Sequence, residues 1–127
     1  MLNHVVVGSN DIERSKLFYD AVLGTLGAGE PHRNLAPSGH TRLFYRHNGS
    51  TFCVSEPIDG EVATHANGGT IGFKCDSPEQ VQAFHDVAVK FGGKSIEEAP
   101  GLRGGNMHLA YVRDPDGNKL CAIYRVK

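Results

Sequence analysis

The chain has 127 residues, 39% of them hydrophobic and 21% charged, and a formal net charge of −1. This length and composition fit one globular domain that buries a core without disulfides. The near-neutral charge offers no basic stripe for phosphates, which argues against a nucleic-acid partner. The first apolar run, residues 5–7, ends at Gly8 and is too short for a signal sequence or a membrane span, so no membrane partner is expected.

The first half of the chain is predicted to form one strand, one helix and a β-rich remainder. Residues 3–8 are rich in Val, which favours a strand. Asn10 followed by Glu13 is typical of the start of a helix, and apolar side chains then recur on one face of residues 11–23. The remaining predicted elements are a weaker strand and loop over residues 27–40 and two strands over residues 41–46 and 51–55.

The second half is predicted to repeat this order after residues 57–68, which have the composition of a linker. Ser77 and Pro78 are typical of a helix cap and a first helical position, and Gly92 lies where the helix should end. The last two strands are joined by Asp-Pro-Asp-Gly-Asn, a strong turn signal. The predicted elements are a strand over 69–75, a helix over 77–91, a weaker strand and loop over 95–106, and strands over 107–113 and 119–125.

The two halves match one another when the sequence is shifted against itself. An offset of 66 residues places Phe18 on Phe84, and after the second turn an offset of 68 places Cys53 on Cys121. The same repeat at an offset of 66 also places Leu43 on Leu109 and Tyr45 on Tyr111. The order is therefore βαβββ twice, which predicts an α+β domain with one module over residues 1–56 and another over residues 69–127.

Alternation along the predicted strands assigns each side chain to one of two faces. In the first and last strands of each copy, apolar side chains cover the helices, and the other face carries His4, Thr70, Cys53 and Cys121. In the middle strands, the side chains predicted to face the helices are Leu43, Tyr45, Leu109 and Tyr111. Those predicted to face the other way are Arg42, Phe44, Arg46, His108, Ala110 and Val112. Apolar walls with a few polar groups suit a ligand cleft, although the arginines could equally be solvated strand charges.

The glycine-rich residues 100–106 contain Arg103, which could meet an anionic group if this segment were a lid beside the cleft. An ordinary surface loop explains the same composition. The three cysteines include no CxxC pair, and their odd number argues against a disulfide framework. Free thiols without an export signal predict a reducing compartment, and therefore a cytoplasmic protein.

Two local sequences are typical of one family. The first is His4-Val5 followed by the run from Asn10 to Tyr19 and by Val22-Leu23-Gly24; the second is the run from Val112 to Leu120 that contains the Asp-Pro-Asp-Gly-Asn turn. With the βαβββ order, they make the chain resemble the vicinal oxygen chelate superfamily, which includes glyoxalase I, bleomycin-resistance proteins and extradiol dioxygenases. The resemblance implies two modules with bent, mostly antiparallel sheets that enclose a cleft, paired within or between chains. Exposed sheet edges favour a homodimer.

The family commonly holds a divalent metal through His and Glu on the first and last strands of each module. The matching positions here are His4, Thr70, Cys53 and Cys121, of which only His4 is a usual ligand type. A set of His4, Cys53 and Cys121 would suit zinc. Because hard carboxylates are missing and Thr70 is a poor ligand, we expect no tightly bound divalent metal.

Two classes of function remain open, and the sequence identifies no catalytic residue. The protein is either a metal-assisted lyase or isomerase, or a metal-free protein that binds a small molecule, as antibiotic-sequestering relatives do. Lactoylglutathione lyase activity is not expected, because Cys53 and Cys121 occupy both positions where a carboxylate base would be needed. The two cysteines could also be small residues of the hydrophobic core. The residues predicted to line the cleft are His4, Arg42, Phe44, Cys53, Thr70, Arg103, His108 and Cys121.

Overall fold

The computed structural model describes residues 1–126, which form two helices and eight strands. In chain order these are β1 (His4–Gly8), α1 (Ile12–Gly24), β2 (His32–Leu35), β3 (Thr41–His47), β4 (Ser50–Ser55), β5 (Ile71–Lys74), α2 (Pro78–Lys90), β6 (Lys94–Arg103), β7 (Met107–Arg113) and β8 (Lys119–Arg125). The predicted βαβββ order, present twice, is confirmed. Neither helix in this part of the chain is long and apolar enough to cross a membrane.

Each module builds one four-stranded sheet. The first has the order β1-β4-β3-β2 and the second the order β5-β8-β7-β6. The first and last strands of a module pair in parallel, and the other neighbours pair in antiparallel fashion. As a result, β1 and β5 are edge strands with one unpaired side each.

A short polar side chain caps the start of each helix, and one of the two capping residues differs from the prediction. Ser77 accepts a hydrogen bond from the backbone N–H of Gln80, as expected for the start of α2. At the start of α1, however, Asp11 and not Asn10 is the cap, because the extended Asp11 accepts from the backbone N–H of Arg14. Asn10 is thereby free to bind another part of the chain.

A single hydrophobic core joins the two modules. It contains the buried faces of both helices and one face of each sheet, here called the helix face. The Phe52 and Phe73 rings, from different sheets, lie 5.3 Å apart between centroids. Gly93 is required at its position, because a Cβ atom there would lie 2.8 Å from the ring of Phe18. Since the helix faces of both sheets meet in this core, their opposite faces, here called the open faces, turn outward.

The predicted faces of β7 are wrong. Ala110 and Val112 belong to the core, so Leu109 and Tyr111 point to the open face. The register explains the error: Tyr111 pairs with Cys121 as Phe44 pairs with Cys53, so the repeat offset in this strand is 67 residues rather than 66. A shift of one residue moves every side chain of a strand to the other face.

The turn between β7 and β8 ties the second module to the first. The Tyr19 hydroxyl donates a 2.5 Å hydrogen bond to Oδ2 of the buried Asp114. Asn118 donates from Nδ2 to the same carboxylate oxygen and also to the carbonyl of Gly8 in β1. Asp116 accepts from Arg14 and from the backbone N–H of Asn10. The Asp-Pro-Asp-Gly-Asn turn is thus a contact between modules as well as a hairpin.

The pKa values fit this arrangement. Burial, and then the negative charge of Asp114, raise the pKa of the Tyr19 phenol, so the phenol keeps its proton and donates. Burial also raises the pKa of the Asp114 carboxyl, while hydrogen bonds from Tyr19 and Asn118 act in the opposite direction. Because its pKa is raised in the folded state, Asp114 disfavours folding progressively as the pH rises from the unfolded-state pKa to the folded-state pKa.

Replacing Tyr19 with Phe should therefore lower the free energy of unfolding by about 1.5–3 kcal/mol, the typical contribution of a hydrogen bond to a charged group. The loss should be larger at neutral pH than in mild acid, since only ionised Asp114 needs the donor. Urea unfolding of the wild-type protein and the variant, at neutral pH and in mild acid, measures this loss in the free energy of unfolding. Tyr45→Phe is the matched control, because Tyr45 donates to the more exposed Asp20 and should cost less. Equal losses in the two variants would contradict this account.

Candidate functional site

The open face of the first sheet is a grid of side chains set by strand register. Its central row crosses all four strands and consists of Val6, Cys53, Phe44 and His32. One flanking row consists of His4, Thr51 and Arg46, and the other of Gly8, Ser55, Arg42 and Asn34. This face carries no Asp or Glu side chain in these rows.

A cavity of about 500 Å³ lies over this grid. Its floor includes His4, Val6, Arg42, Phe44 and Cys53. Its other wall is the first part of the connection between the modules, residues 56–64, which contributes the apolar side chains of Ile58 and Val62. A cavity of this volume with apolar walls and a few polar groups is typical of a small-molecule site.

The connecting segment is held over the cavity by Asn10. The Asn10 side chain accepts a 2.7 Å hydrogen bond from the backbone N–H of Ala63 and donates a 3.2 Å hydrogen bond to the carbonyl of the same residue. Ala63 passes so close to β1 that a Cβ atom on Gly8 would lie 2.8 Å from the Ala63 Cβ. Glycine at position 8 is what lets the segment approach the sheet.

Two arginines converge on one aromatic ring in the floor. The guanidinium carbons of Arg42 and Arg46 lie 5.5 and 5.2 Å from the centroid of Phe44, within cation–π range. Arg42 is oriented by Asn34, whose Oδ1 accepts from Nε at 3.1 Å and from Nη2 at 2.7 Å. Within residues 1–126, neither guanidinium forms an ion pair. Arg42 lines the cavity together with the carboxylates of Glu56 and Asp59, and Arg46 lies beside it.

Cys53 lies in the centre of this floor and is almost fully buried. Burial raises the pKa of its thiol, and the positive charges of Arg42 and Arg46 oppose that shift without cancelling it. The group is consequently a neutral thiol at neutral pH. A neutral thiol is a poor metal ligand, since binding requires its deprotonation, and the neighbouring guanidinium charges also repel a cation.

The open face of the second sheet has the corresponding central row, Gly72, Cys121, Tyr111 and Ile96. Burial raises the pKa of the Cys121 thiol, and the neighbouring Cys121 is the main cause of a raised pKa at Tyr111. The ammonium of Lys119 lies 4.8 Å from the Tyr111 ring and also pairs with Glu97. Unlike the arginines of the first sheet, this cation has a carboxylate partner.

The predicted cleft residues are divided between the two open faces. His4, Arg42, Phe44 and Cys53 share the first, and Cys121 lies on the second. Exposed Thr70 directly precedes β5. No Cα atom of β1 or β4 lies within 8 Å of one in β5 or β8, so a single chain does not bring His4 and Cys53 to Cys121. Among the described residues, no group of three His, Cys, Asp or Glu side chains is placed to hold a metal ion.

Two other predicted residues do not line the cavity over the first sheet. His108 is on the helix face of its sheet, where its ring lies 6.1 Å from that of Tyr124, because the register of β7 differs from the prediction. Arg103 ends β6 and is held by its own strand: its Nη2 donates to the carbonyl of Ala99, and its Nε lies 3.1 Å from the carboxylate of Glu98. The predicted lid is thus a β-strand end and a turn.

Sequence reasoning missed several residues of the site. Asn34 lies on β2, where the sequence predicts only a weak strand and therefore does not give the register that pairs Asn34 with Arg42. Ile58 and Val62 were assigned to a linker and not to a wall of the cavity. The available signal is that these two residues are the large apolar side chains of the linker.

The architecture defines a class of protein: a two-module α+β domain with a cavity on the open face of its first module. The sequence matches the Glyoxalase/Bleomycin resistance protein/Dioxygenase superfamily over residues 1–122, and the chain belongs to this family. The implied family resemblance is thereby confirmed.

Three relatives illustrate the match. A glyoxalase/bleomycin resistance protein from Albidiferax ferrireducens T118 has a crystal structure with 53% sequence identity, a TM-score of 0.90 and 98% coverage of both chains. A glyoxalase-related enzyme from Fulvimarina pelagi shares the fold at 21% identity, with a TM-score of 0.75 over 98% of this chain and 88% of that one. A protein of Vibrio cholerae named "Probable lactoylglutathione lyase" is 24% identical over 90% of this chain and 83% of its own.

Proposed function

We propose that the protein is a homodimer that binds a small molecule, without a resident metal, in the cavity over the first sheet. In this dimer the open face of the first module of one subunit faces the open face of the second module of its partner. The observation that carries the proposal is the cavity itself, with Phe44 and Arg42 in its floor and the apolar side chains of Ile58 and Val62 in the connecting segment over it.

The free edges of the sheets support the dimer. Val6 on β1 is 51% exposed, and β1 contains no charged residue or proline that would prevent pairing with another strand. A groove of about 470 Å³ runs between the edges of the two modules and is lined by Val5, Ile71 and Phe73. Pairing β1 of one subunit with β5 of the other would cover both edges.

The polar groups of the site favour binding over proton-transfer chemistry. None of the three rows on the first open face contains a carboxylate, and Cys53 holds its proton. Two carboxylates of the connecting segment line the cavity, and each accepts a hydrogen bond from a backbone N–H: Glu56 from Thr41 at 2.6 Å and Asp59 from Glu61 at 2.9 Å. A base positioned to abstract a proton typically contributes about 10²–10⁴ in rate, and the floor of the cavity offers no carboxylate for this role.

A metal-assisted lyase or isomerase is the second candidate. It is favoured by the name of the Vibrio cholerae relative and by the equivalent placement of Cys53 and Cys121 opposite Phe44 and Tyr111. The donor set of one chain does not fit a metal, because it supplies His4 and a protonated thiol beside two guanidinium charges. A complete His-Cys-Cys set would need the partner's copy of Cys121.

The dimer can be tested at the edge strand. Wild-type protein should sediment as a dimer at micromolar concentration, and Val6→Lys should shift it to monomer because a charge on the edge blocks pairing with another strand. Val89→Lys, a matched change at an exposed position of α2, should leave the dimer intact. A monomeric wild-type protein would remove the proposed dimer.

Binding at the cavity can be mapped by NMR. A panel of small anionic, neutral and cationic aromatic compounds is added to ¹⁵N-labelled protein, and the amide shifts are followed. We expect compounds that bind to move the amides of Val6, Phe44 and Cys53, with Phe44→Ala weakening binding by about tenfold, the usual scale for a lost aromatic contact. Shifts confined to other parts of the chain would contradict the proposed site.

Zinc titration of metal-free protein separates the two candidates. We expect no binding tighter than micromolar, because both thiols must lose protons that burial holds in place. Calorimetry on wild type, Cys53→Ser and Cys121→Ser measures this. If the wild-type protein binds zinc with submicromolar affinity and both variants lose this binding, the metal-assisted enzyme would be favoured over the metal-free binding protein.

A further inference from the structure

A chain of hydrogen-bonded side chains joins α2 to β6 on the helix face of the second sheet. Ser95 Oγ lies 2.8 Å from Nε2 of His85, and Nδ1 of His85 lies 2.9 Å from Oδ1 of Asp86. The side-chain amide of Gln82 donates a 2.9 Å hydrogen bond to the same Oδ1 from one helical turn earlier. A hydroxyl, an imidazole and a carboxylate in this order are the parts of a serine nucleophile, its general base and the group that orients the base.

The protons of this chain are placed by the donors and acceptors available. The hydrogen bond from His85, and then that from Gln82, lower the pKa of the Asp86 carboxyl, so it is ionised at neutral pH. An ionised carboxylate can only accept, and Asp86 therefore requires the proton of the His85 ring on Nδ1. In the neutral ring Nε2 is then the acceptor, and the Ser95 hydroxyl donates to it. This is the tautomer of His85 that can remove the hydroxyl proton.

The three groups differ in their access to solvent. Ser95 is exposed, whereas only 13% of the His85 side chain is exposed. A compound in solution can therefore reach the hydroxyl, while the ring that serves it is held in place by the surrounding protein. The Asp86 side chain is 59% exposed. Because water weakens its interaction with His85, Asp86 should contribute less than a buried carboxylate in the same role.

The register of the second sheet leaves a free backbone N–H beside the Ser95 hydroxyl. At the end of β7, the N–H of Asp114 donates to the carbonyl of Asn118, so residues of even number in β7 bond to β8 and those of odd number bond to β6. The odd-numbered Arg113 pairs with Lys94, so the next residue, Ser95, turns its N–H to the unpaired side of β6, the last strand of its sheet. A backbone N–H at this position can stabilise the oxyanion that forms in acyl transfer.

We propose that Ser95, His85 and Asp86 form an acyl-transfer site that hydrolyses activated carboxylic esters, a function independent of binding in the cavity over the first sheet. Ser95 Oγ attacks the carbonyl carbon while His85 Nε2 takes its proton, the C–O bond to the leaving group breaks, and the leaving group departs with that proton. Water then attacks the acyl-Ser95 ester, and His85 passes a proton of this water to Ser95 Oγ as the carboxylic acid is released. Asp86 and Gln82 are positioning residues, because they act through His85.

The single backbone donor defines the substrate class. Loss of one oxyanion donor typically lowers the rate by about 10²–10³, and Ser95 supplies one N–H where efficient acyl transfer uses two. The substrate must therefore carry a leaving group that is a weak base, such as the phenol of an aryl ester. Amides and simple alkyl esters need more stabilisation of the oxyanion and should not react.

Covalent labelling tests the nucleophile. Diisopropyl fluorophosphate forms a bond between its phosphorus and a reactive serine oxygen with loss of fluoride, and peptide mass spectrometry gives the labelling rate of each serine. We expect Ser95 to be labelled, and His85→Gln to slow this by about 100-fold, within the usual contribution of a general base. Ser38 is the internal control, because its hydroxyl bonds to His40, which forms no ion pair with a carboxylate within residues 1–126. It should react much more slowly.

Hydrolysis of p-nitrophenyl acetate tests turnover and the positioning role. Ser95→Ala should lower kcat/KM at least about tenfold, and added imidazole should restore activity to His85→Ala but not to Ser95→Ala. Asp86→Asn should lower kcat about tenfold with KM unchanged and should move the ring proton of His85 from Nδ1 to Nε2, which imidazole ¹⁵N shifts report. Glu79→Gln, which removes an exposed carboxylate from the first turn of the same helix, should change neither.

Each variant is compared with the wild-type protein at a temperature at which circular dichroism shows both to be folded. Labelling of Ser95 no faster than that of Ser38, or at equal rates in wild type and His85→Gln, would overturn the acyl-transfer site. Ester hydrolysis that survives Ser95→Ala would also overturn it, because the reaction would then belong to other groups such as exposed histidines. None of these results bears on ligand binding over the first sheet, which the NMR panel measures separately.

Discussion

The buried carboxylate of Asp114 holds the end of the chain to its beginning. It receives hydrogen bonds from Tyr19 in α1 and from Asn118 in its own turn, while Asn118 also reaches the carbonyl of Gly8 in β1. A buried carboxylate without such donors would cost several kcal/mol, so the two modules are fixed in the one arrangement that supplies them. The shared core then fills the space between the helix faces.

The fixed arrangement of the two modules determines which residues of one chain can meet at a ligand. With the helix faces turned inward, the open faces with Cys53 and Cys121 turn outward, and their residues act on a common ligand only if a second chain joins them. It also explains why the family's ligand positions, carried over from sequence, are divided between two surfaces of the same chain. The first open face nevertheless has its own second wall, formed by the connection between the modules.

Much of the fold could be predicted from sequence because its signals are local. The Ser77-Pro78 start of α2 and the Asp-Pro-Asp-Gly-Asn turn each specify backbone geometry within a few residues. The register of β7 could not be predicted from sequence, because alternation shows which residues share a face but not which face is buried. Leu109 and Tyr111 could fill a core as well as their buried neighbours Ala110 and Val112. The site was half predictable: Arg42, Phe44 and Cys53 follow from alternation on strands with clear patterns, whereas Asn34 and Val62 enter through tertiary contacts that leave no local trace.

The segment over the cavity, residues 56–64, is here called the strap, and its hydrogen bonds from Ala63 to Asn10 tie its position to the loop that starts α1. The strap belongs to the covalent connection of the modules, so its length can change without altering either sheet or the core. Loop-closure entropy grows only slowly with length, and an insertion after Ala63 or a deletion before it would therefore cost little stability. Such changes would deepen or narrow the cavity while the arginines and Phe44 stay in place. In this fold the connection between two duplicated halves is a route by which ligand size could diverge among relatives without new catalytic or binding residues.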